Sequence, residues 1–184
     1  MRHLPNIICL VRIALIWPIL AGLLAGRFQL TLVLFLVAAV SDGLDGWLAK
    51  HFGWQSRLGR VLDPAADKLL LVAVFLVLTW MGLVPRWLAI AAITRDFMIA
   101  VGAVTYIAAF GPLRGRPILS SKLNTLLQLL YVLAVVVHAA AGFPPASVLQ
   151  ALAAATLATV VVSGWAYLRE FTVRALQPAA ARQA

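Results

Sequence analysis

Acidic residues are scarce in this sequence, which has six of them against 15 lysines and arginines in 184 residues. Charged residues of either sign make up only 11% of the chain, whereas 64% of it is hydrophobic. A soluble domain carries about 25% charged residues. The shortage of charge therefore argues against a soluble globular protein and predicts a membrane protein.

Cysteine is almost absent as well. With Cys9 alone, no disulfide can form within the chain, and cysteine usage says nothing about the redox compartment. Cys9 lies in an N-terminal apolar segment that is longer than the apolar region of an ordinary signal peptide, carries Arg12 and is followed by no convincing cleavage site. We expect this segment to remain as a helix of the mature protein.

Long apolar runs dominate what is present. Six of them approach or reach the roughly 20 residues that a helix needs to cross a bilayer. They cover Ile7–Leu24, Leu30–Leu48, Leu62–Val84, Trp87–Phe110, Leu123–Ala141 and Ala146–Leu168. Helices satisfy their backbone hydrogen bonds within one segment, as lipid requires. The predicted fold is an all-α integral membrane protein, a bundle of six transmembrane helices forming one domain over residues 1–184.

The cations are distributed unevenly between the two ends of this predicted bundle. One set flanks alternate connections and both termini: Arg2, Lys50, Arg57, Arg60, Lys68, Arg114, Arg116, Lys122, Arg169, Arg174 and Arg182. The remaining connections carry Arg27 and Arg86. This asymmetry predicts that both termini are cytoplasmic, most simply at a bacterial inner membrane. The net charge of +9 then reflects topology and lipid headgroups rather than a nucleic-acid partner.

Four of the six acidic residues fall within the stretch "SDGLDGWLAKHFGWQSRLGRVLDPAADK": Asp42, Asp45, Asp63 and Asp67. The spacings of three and four residues place each pair on one helix face. A short polar turn separates the pairs, so two antiparallel neighbouring helices are predicted to bring the acidic faces together. Converging carboxylates repel one another unless a cation binds, and such oxygen ligands suit magnesium or manganese. Two such ions about 3.5–4 Å apart would clamp the oxygens of a phosphoryl group.

Ordinary structural roles could account for parts of this stretch. Gly46 and Ala49 lie one turn beyond the first two aspartates and leave space for a ligand, but small residues are also routine at membrane helix contacts. Asp63 followed by Pro64 is typical of a helix N-cap. That structural role would explain one aspartate of the four.

The spacing of these residues resembles the signature of the CDP-alcohol phosphatidyltransferases. The pattern is Asp42-x-x-Asp45-Gly46-x-x-Ala49-Lys50, then eight residues, then Gly59-x-x-x-Asp63-x-x-x-Asp67. One position departs from the family, which usually has arginine where this chain has Lys50. Lysine keeps the charge but lacks the planar fork of a guanidinium.

The resemblance implies a reaction in which the phosphatidyl group of CDP-diacylglycerol is transferred to an alcohol and CMP is released. It implies that the four aspartates hold two divalent cations, magnesium or manganese, and that Asp67 is also the general base. It places the CDP site beside Gly46, Ala49, Lys50 and Gly59. Members of the family are commonly homodimers, so a homodimer is expected here.

Two further segments bear on the alcohol acceptor. Arg95 and Asp96 lie inside the fourth apolar run, where they either neutralise each other or leave Arg95 to hold a phosphate. Arg114, Arg116 and Lys122 flank the next connection and suit an anionic headgroup or the acceptor's phosphate. In the same run, Ser120 or Ser121 is a candidate helix cap.

The Arg95-Asp96 pair and the run "SSKLNTLLQ" resemble the CMP-forming cardiolipin synthases more than the phosphatidylglycerophosphate synthases. The latter usually have glutamate after that arginine and a Gly-Lys-x-Lys-Thr run at the second place. The favoured acceptor is therefore phosphatidylglycerol, and the alternative is glycerol 3-phosphate. The partners expected are CDP-diacylglycerol, a lipid or polyol-phosphate acceptor, and membrane lipids.

Two further classes of membrane protein use intramembrane aspartates. An ion-coupled transporter usually has paired halves and a midplane site, whereas these acids lie at one end and no second half is apparent. An intramembrane prenyltransferase usually has two aspartate clusters far apart in sequence, whereas here both lie between residues 42 and 67. Both classes remain remoter alternatives.

Overall fold

The computed structural model describes the backbone of residues 4–52, 59–110 and 119–176, and the side chains of residues 13–41, 68–109 and 119–173. Within these backbone ranges the chain forms six α-helices and no strand. They are α1 (Leu4–Leu24), α2 (Phe28–Phe52), α3 (Gly59–Trp80), α4 (Arg86–Phe110), α5 (Leu119–Ala141) and α6 (Ala146–Leu176). The all-α prediction is confirmed for the described part of the chain.

Three helices are long and apolar enough to cross a membrane: Arg86–Ala109, Leu119–Ala141 and Ala146–Val173. The apolar parts of the other three are shorter over the residues described, at Ile13–Leu24, Phe28–Ser41 and Lys68–Trp80. The prediction of six spans therefore stays a prediction for α1, α2 and α3.

Glycines in the left-handed conformation close the ends of helices on one set of connections. Gly26 has a φ of 68° and donates its N–H to Leu23 O at 2.9 Å, directly after α1. Gly82 has a φ of 75° and donates to Thr79 O at 3.1 Å after α3. A glycine at this position meets no steric penalty at positive φ and satisfies a carbonyl that the helix end leaves free. These two connections are consequently short.

The chain divides into two compact units. The first comprises Met1–Val84 and Val132–Pro145, and the second comprises Pro85–Tyr131 and Ala146–Ala184. The division cuts α5 after Tyr131, so the two parts of that helix belong to different units. The sequence-based expectation of a single domain is not tested by this division and stays a prediction.

In the first unit, α1 packs against both α2 and α3. The buried residues of α3 include Leu71, Val74, Phe75 and Leu78, a spacing of three and four residues that forms one helix face. This face contributes to the apolar core of the first unit.

In the second unit, α4 packs against α6. The buried face of α4 carries Leu88, Ala92 and Arg95 at intervals of four and three residues, and that of α6 carries Thr156 and Ser163 two turns apart. The interior of this unit is therefore partly polar. Buried polar and charged side chains are unusual in a chain with so little charge. Among the residues that the structure describes, those in the interior of the second unit are therefore the candidates for a functional site.

Candidate active site and its buried arginine

The aspartate cluster lies on two helices, as the sequence predicts. Asp42 and Asp45 fall within α2, and Asp63 and Asp67 fall within α3. Their side chains lie outside the described residues. Whether the four carboxylates converge therefore stays a prediction, as do the metal-binding roles of all four and the role of Asp67 as general base.

The structure corrects one reading of Asp63. An N-cap residue precedes the first helical residue, but α3 begins at Gly59, four residues before Asp63. Asp63 therefore lies inside the helix, and the N-cap explanation is wrong. A capping role does not account for this member of the cluster.

The residues predicted to line the CDP site are placed only by their backbone. Gly46, Ala49 and Lys50 lie in the last two turns of α2, and Gly59 is the first residue of α3. Their side-chain environments lie outside the described ranges. The CDP site that they are predicted to line remains untested.

The chemistry of the predicted donor set fits a divalent cation. Four carboxylates supply oxygen ligands alone, which magnesium and manganese prefer, while zinc prefers nitrogen and sulfur. Among the side chains that the structure describes, no group of three or more histidine, cysteine, aspartate or glutamate residues is placed to hold a metal ion. Asp42, Asp45, Asp63 and Asp67 therefore stay the predicted ligands of a metal in this protein.

Arg95 is the charged residue that the structure describes most fully. It lies on the buried face of α4 with 4% of its side chain exposed, and its Nη1 is 2.6 Å from Asp96 Oδ1. An unpaired arginine at the centre of a membrane helix costs about 2.5–3.5 kcal/mol or more. The Asp96 carboxylate, itself 14% exposed, reduces this cost, so the pairing that the sequence suggests is confirmed.

Two serines from other helices bind the opposite end of the same guanidinium. Arg95 Nη2 donates to Ser121 Oγ on α5 at 2.9 Å and to Ser163 Oγ on α6. Three helices of the second unit therefore meet at one side chain. Because Ser121 is engaged with Arg95 through its hydroxyl, the contact observed for it is not that of a helix cap.

One donor of this buried guanidinium has no partner among the described residues. Arg95 Nε is inaccessible to solvent and makes no hydrogen bond within that part of the chain. Leaving a buried donor unsatisfied costs about 1–3 kcal/mol, and more for a charged group. An acceptor oxygen that approaches this N–H would recover that energy. The structure thus presents a fixed cationic donor whose natural complement is an anionic oxygen.

Further polar residues lie along α5 and α6 beyond the arginine. Asn124 and Gln128 are almost fully buried on the same face of α5 as Ser121. Asn124 Oδ1 accepts a hydrogen bond from Thr159 Oγ1 at 3.2 Å. Asn124 Nδ2 and Gln128 Oε1 have no hydrogen-bond partner in the part of the chain that the structure describes. A row of neutral polar groups therefore extends from the arginine along the second unit.

The structure says less about the surroundings of the other residues predicted to contact the acceptor. Lys122 is exposed, in contrast to the buried Arg95. Arg114 and Arg116 lie outside the described residues. Of the four basic residues predicted here, the structure gives partners only for Arg95.

Ser163 and Thr159 were not among the site residues predicted from the sequence. Both lie in α6, together with Thr156. The three residues are spaced by three and four, which places them on one face of the largely apolar middle of α6. That polar stripe was the available signal, since a polar face in a membrane helix usually points into the bundle.

Comparison with known proteins identifies the family. The family model described as CDP-alcohol phosphatidyltransferase matches residues 2–181. A Bacillus subtilis (strain 168) protein named CDP-diacylglycerol–glycerol-3-phosphate 3-phosphatidyltransferase is 34% identical over 186 residues, covering 91% of this chain and 94% of that protein. The Homo sapiens cardiolipin synthase (CMP-forming) is 31% identical over 182 residues, covering 89% of this chain.

These relatives differ in how much of their length the chain matches. It spans 60% of the human cardiolipin synthase. A Streptomyces coelicolor cardiolipin synthase (CMP-forming) is 36% identical over 104 residues, which are 53% of this chain and 48% of that protein. The match of the family model over nearly the whole chain, together with relatives named as phosphatidyltransferase and synthase of phospholipids, shows that this chain belongs to the CDP-alcohol phosphatidyltransferases, the membrane enzymes of phospholipid biosynthesis.

Proposed function

We propose that this enzyme transfers the phosphatidyl group of CDP-diacylglycerol to phosphatidylglycerol, forming cardiolipin and releasing CMP. The observation that carries the binding of an acceptor phosphate is the buried Arg95, whose Nε–H has no partner among the described residues. Phosphatidylglycerol presents a phosphate oxygen to such a donor and a primary hydroxyl to the reacting centre.

The reacting centre is assigned to the aspartates of α2 and α3. Asp42, Asp45, Asp63 and Asp67 would hold two magnesium or manganese ions, which when bound neutralise the charge of the pyrophosphate donor. Asp67 would accept the proton of the acceptor hydroxyl as that oxygen attacks the phosphorus of the phosphatidyl group. The bond from that phosphorus to the bridging oxygen then breaks, and CMP leaves.

The nucleotide is assigned to the small and basic residues beside the aspartates. Gly46, Ala49 and Gly59 would let the cytidine and its phosphates approach the backbone closely, because their side chains are small or absent. Lys50 would supply a positive charge to a phosphate. Its single ammonium group gives less directional binding than the arginine that the family usually has at this position.

The acceptor site is assigned to Arg95 and the basic residues near the start of α5. Arg95 would bind the acceptor phosphate from within the second unit. Arg114, Arg116 and the exposed Lys122 would attract anionic headgroups at the membrane surface, where such residues are strongly favoured by anionic lipid. In this proposal the buried Arg95 binds the acceptor, whereas the other three basic residues raise the concentration of anionic lipid near the site.

The charge of the acceptor site favours a phosphodiester. The run from Ser121 to Thr125 carries Lys122 but has the neutral Asn124, buried against Thr159, where the Gly-Lys-x-Lys-Thr run of phosphatidylglycerophosphate synthases has a second lysine. A phosphate monoester such as glycerol 3-phosphate carries a charge of about −1.5 to −2 at neutral pH. A phosphodiester carries one negative charge and needs fewer cations.

Glycerol 3-phosphate is the second candidate acceptor. The similarity to the Bacillus subtilis protein, which covers 94% of that protein's length, supports this reading. Both acceptors present a primary hydroxyl and a phosphate, so the aspartates and Arg95 would act in the same way on either. Membership of the family leaves no support for a transporter or an intramembrane prenyltransferase.

We further propose that all six helices cross a membrane, with both termini and the aspartates at the cytoplasmic face of a bacterial inner membrane. The cation asymmetry along the chain supports this orientation. Residues 1–184 would form a single catalytic domain, and two such chains would form a homodimer, as is common in the family.

A product assay tests the acceptor. Purified full-length protein is given CDP-diacylglycerol, magnesium or manganese, and an equimolar mixture of phosphatidylglycerol and glycerol 3-phosphate, and the lipids formed are identified by mass spectrometry. We expect cardiolipin. Exclusive formation of phosphatidylglycerophosphate would overturn the phosphatidylglycerol assignment, and a lack of any CMP release would contradict the reaction itself.

A further inference from the structure

The guanidinium of Arg95 lies over an aromatic ring. Its Cζ is 5.8 Å from the centroid of the Tyr167 ring on α6. A cation within about 6 Å of an aromatic centroid is attracted by the negative face of the ring. The hydrogen bonds to Ser121 and Ser163 hold one end of the guanidinium, and the ring restricts the group from the side. The Tyr167 ring thus restricts movements of the Arg95 guanidinium that the two serine hydrogen bonds alone would permit.

Tyr167 is itself in contact with a second aromatic residue one turn further along α6. The ring centroids of Tyr167 and Phe171 are 5.9 Å apart with an interplanar angle of 40°. Phe171 also contacts Tyr106 of α4, with centroids 6.4 Å apart. Tilted aromatic pairs at these distances are favourable, so the orientation of Tyr167 depends on where the Phe171 ring lies.

The Phe171 ring lies directly against the backbone of α4 at Gly102. A Cβ at this glycine would be 2.7 Å from Phe171 Cε2 and 3.0 Å from Cδ2, closer than carbon atoms pack. Glycine costs about 1 kcal/mol relative to alanine inside a helix, and this close approach explains its use here. Gly102 lies two turns after Arg95 on α4, and Phe171 lies one turn after Tyr167 on α6. The contacts therefore form a continuous row from Gly102 to Arg95.

We propose that Tyr167 is a positioning residue for Arg95, and that Phe171, seated on Gly102, fixes Tyr167 in turn. The row holds the guanidinium so that its Nε–H is directed at the acceptor phosphate. This inference depends on the proposed role of Arg95 in binding that phosphate. Tyr167, Phe171 and Gly102 lie outside the aspartate cluster. Changing them should therefore affect the binding of the acceptor and leave the binding of CDP-diacylglycerol unchanged.

The first test separates the ring from the hydroxyl of Tyr167. The variants Tyr167→Phe and Tyr167→Met are prepared in the full-length protein, and KM is measured separately for CDP-diacylglycerol and for each acceptor, phosphatidylglycerol and glycerol 3-phosphate. Tyr167→Phe keeps the ring and should retain the acceptor KM within about twofold. Tyr167→Met removes the ring and should raise the KM of the acceptor used by about three- to thirtyfold, with the KM for CDP-diacylglycerol unchanged.

The second test acts from the far end of the row. Gly102→Ala should displace Phe171 and raise the acceptor KM in the same direction as Tyr167→Met. Gly164→Ala is the matched control, because a Cβ there would be 3.6 Å from Met98 Cε and 3.7 Å from Arg95 Cγ, which is ordinary contact. We expect Gly164→Ala to keep the acceptor KM of the unmodified enzyme, although it touches Arg95 more directly than Gly102 does.

An Arg95→Lys variant distinguishes failure of this inference from failure of the proposed function. If Arg95→Lys, which lacks the Nε–H, leaves the acceptor KM unchanged, the acceptor-binding role proposed for Arg95 is overturned, and the positioning role of Tyr167 is overturned with it. If Arg95→Lys raises it while Tyr167→Met and Gly102→Ala do not, the positioning role alone is overturned. The positioning role is also overturned if these variants raise the KM of both substrates equally, or only lower the thermal unfolding midpoint.

Discussion

Arg95 Nη2 donates a hydrogen bond to Ser121 Oγ at 2.9 Å, and the same nitrogen donates to Ser163 Oγ. One guanidinium therefore connects α4 to both α5 and α6. In a helix pair surrounded by lipid, such polar contacts contribute to association because apolar side chains gain little by leaving the lipid. The functional group proposed for the acceptor is thus also a structural junction of the second unit.

Ser163→Ala should destabilise the protein by leaving an Arg95 N–H unpaired. A hydrogen bond to a charged group contributes about 1.5–3 kcal/mol, so we expect a loss of this size in the free energy of unfolding in detergent. Ser41→Ala is the control, because Ser41 Oγ donates to Val37 O of its own helix at 2.7 Å in an exposed position. It should change stability by about 0.5 kcal/mol or less. Equal effects of the two substitutions would contradict the junction.

Gly22→Ala should destabilise the contact between α1 and α2. A Cβ at Gly22 would lie 2.6 Å from Thr31 Oγ1, which donates to Arg27 O at 3.1 Å. Without this clash, the substitution would stabilise a helix interior by about 1 kcal/mol. Adding Thr31→Ala removes the clashing oxygen and should restore the thermal unfolding midpoint. A double variant no more stable than Gly22→Ala alone would show that the clash is not the cause.

Gln128→Met should stabilise the protein. Gln128 is 1% exposed, and its Oε1 has no hydrogen-bond partner among the residues described. A buried acceptor left unsatisfied costs about 1–3 kcal/mol. Methionine fills a similar volume without that acceptor. Ser163→Ala is the comparison, because it removes a hydrogen-bond partner of the buried Arg95 and should lower the unfolding midpoint. A fall for Gln128→Met of the same size would indicate that Oε1 is satisfied in solution.

Asp67→Asn should abolish CMP release while the protein still inserts in the membrane and elutes as the unmodified enzyme does. An amide can neither accept the proton of the attacking hydroxyl nor supply the charge that a divalent cation needs. Glu170→Gln removes the same charge outside the cluster and should remain active. EDTA should also abolish CMP release, and magnesium or manganese should restore it. Activity of a folded Asp67→Asn enzyme would contradict its assignment as base.

The orientation in the membrane can be read by thiol labelling in a Cys9→Ser background. We expect a membrane-impermeant maleimide to label Ser147→Cys in intact spheroplasts, since Ser147 lies at the start of α6. Gln183→Cys, near the C-terminus, should react only after permeabilisation. The reverse pattern would place both termini outside and contradict the topology inferred from the cations.

The predicted and observed helices agree where apolar runs are long. The runs predicted at Trp87–Phe110 and Ala146–Leu168 correspond to α4 (Arg86–Phe110) and α6 (Ala146–Leu176). Their ends differ by up to eight residues, because a helix continues into polar sequence as long as its backbone hydrogen bonds do. Residues such as Arg169 and Glu170, which lie inside α6, were not part of the predicted apolar run.

The sequence by itself determined the class of protein, its helices and its family. Scarcity of charge predicts a membrane environment, and the fixed spacing from Asp42 to Asp67 is a local pattern that can be read without coordinates. Only the tertiary structure decided which residues surround Arg95. Ser121 and Ser163 are separated from it by 26 and 68 positions. The composition of a helix shows that it has a polar face, but only packing selects which neighbour that face meets.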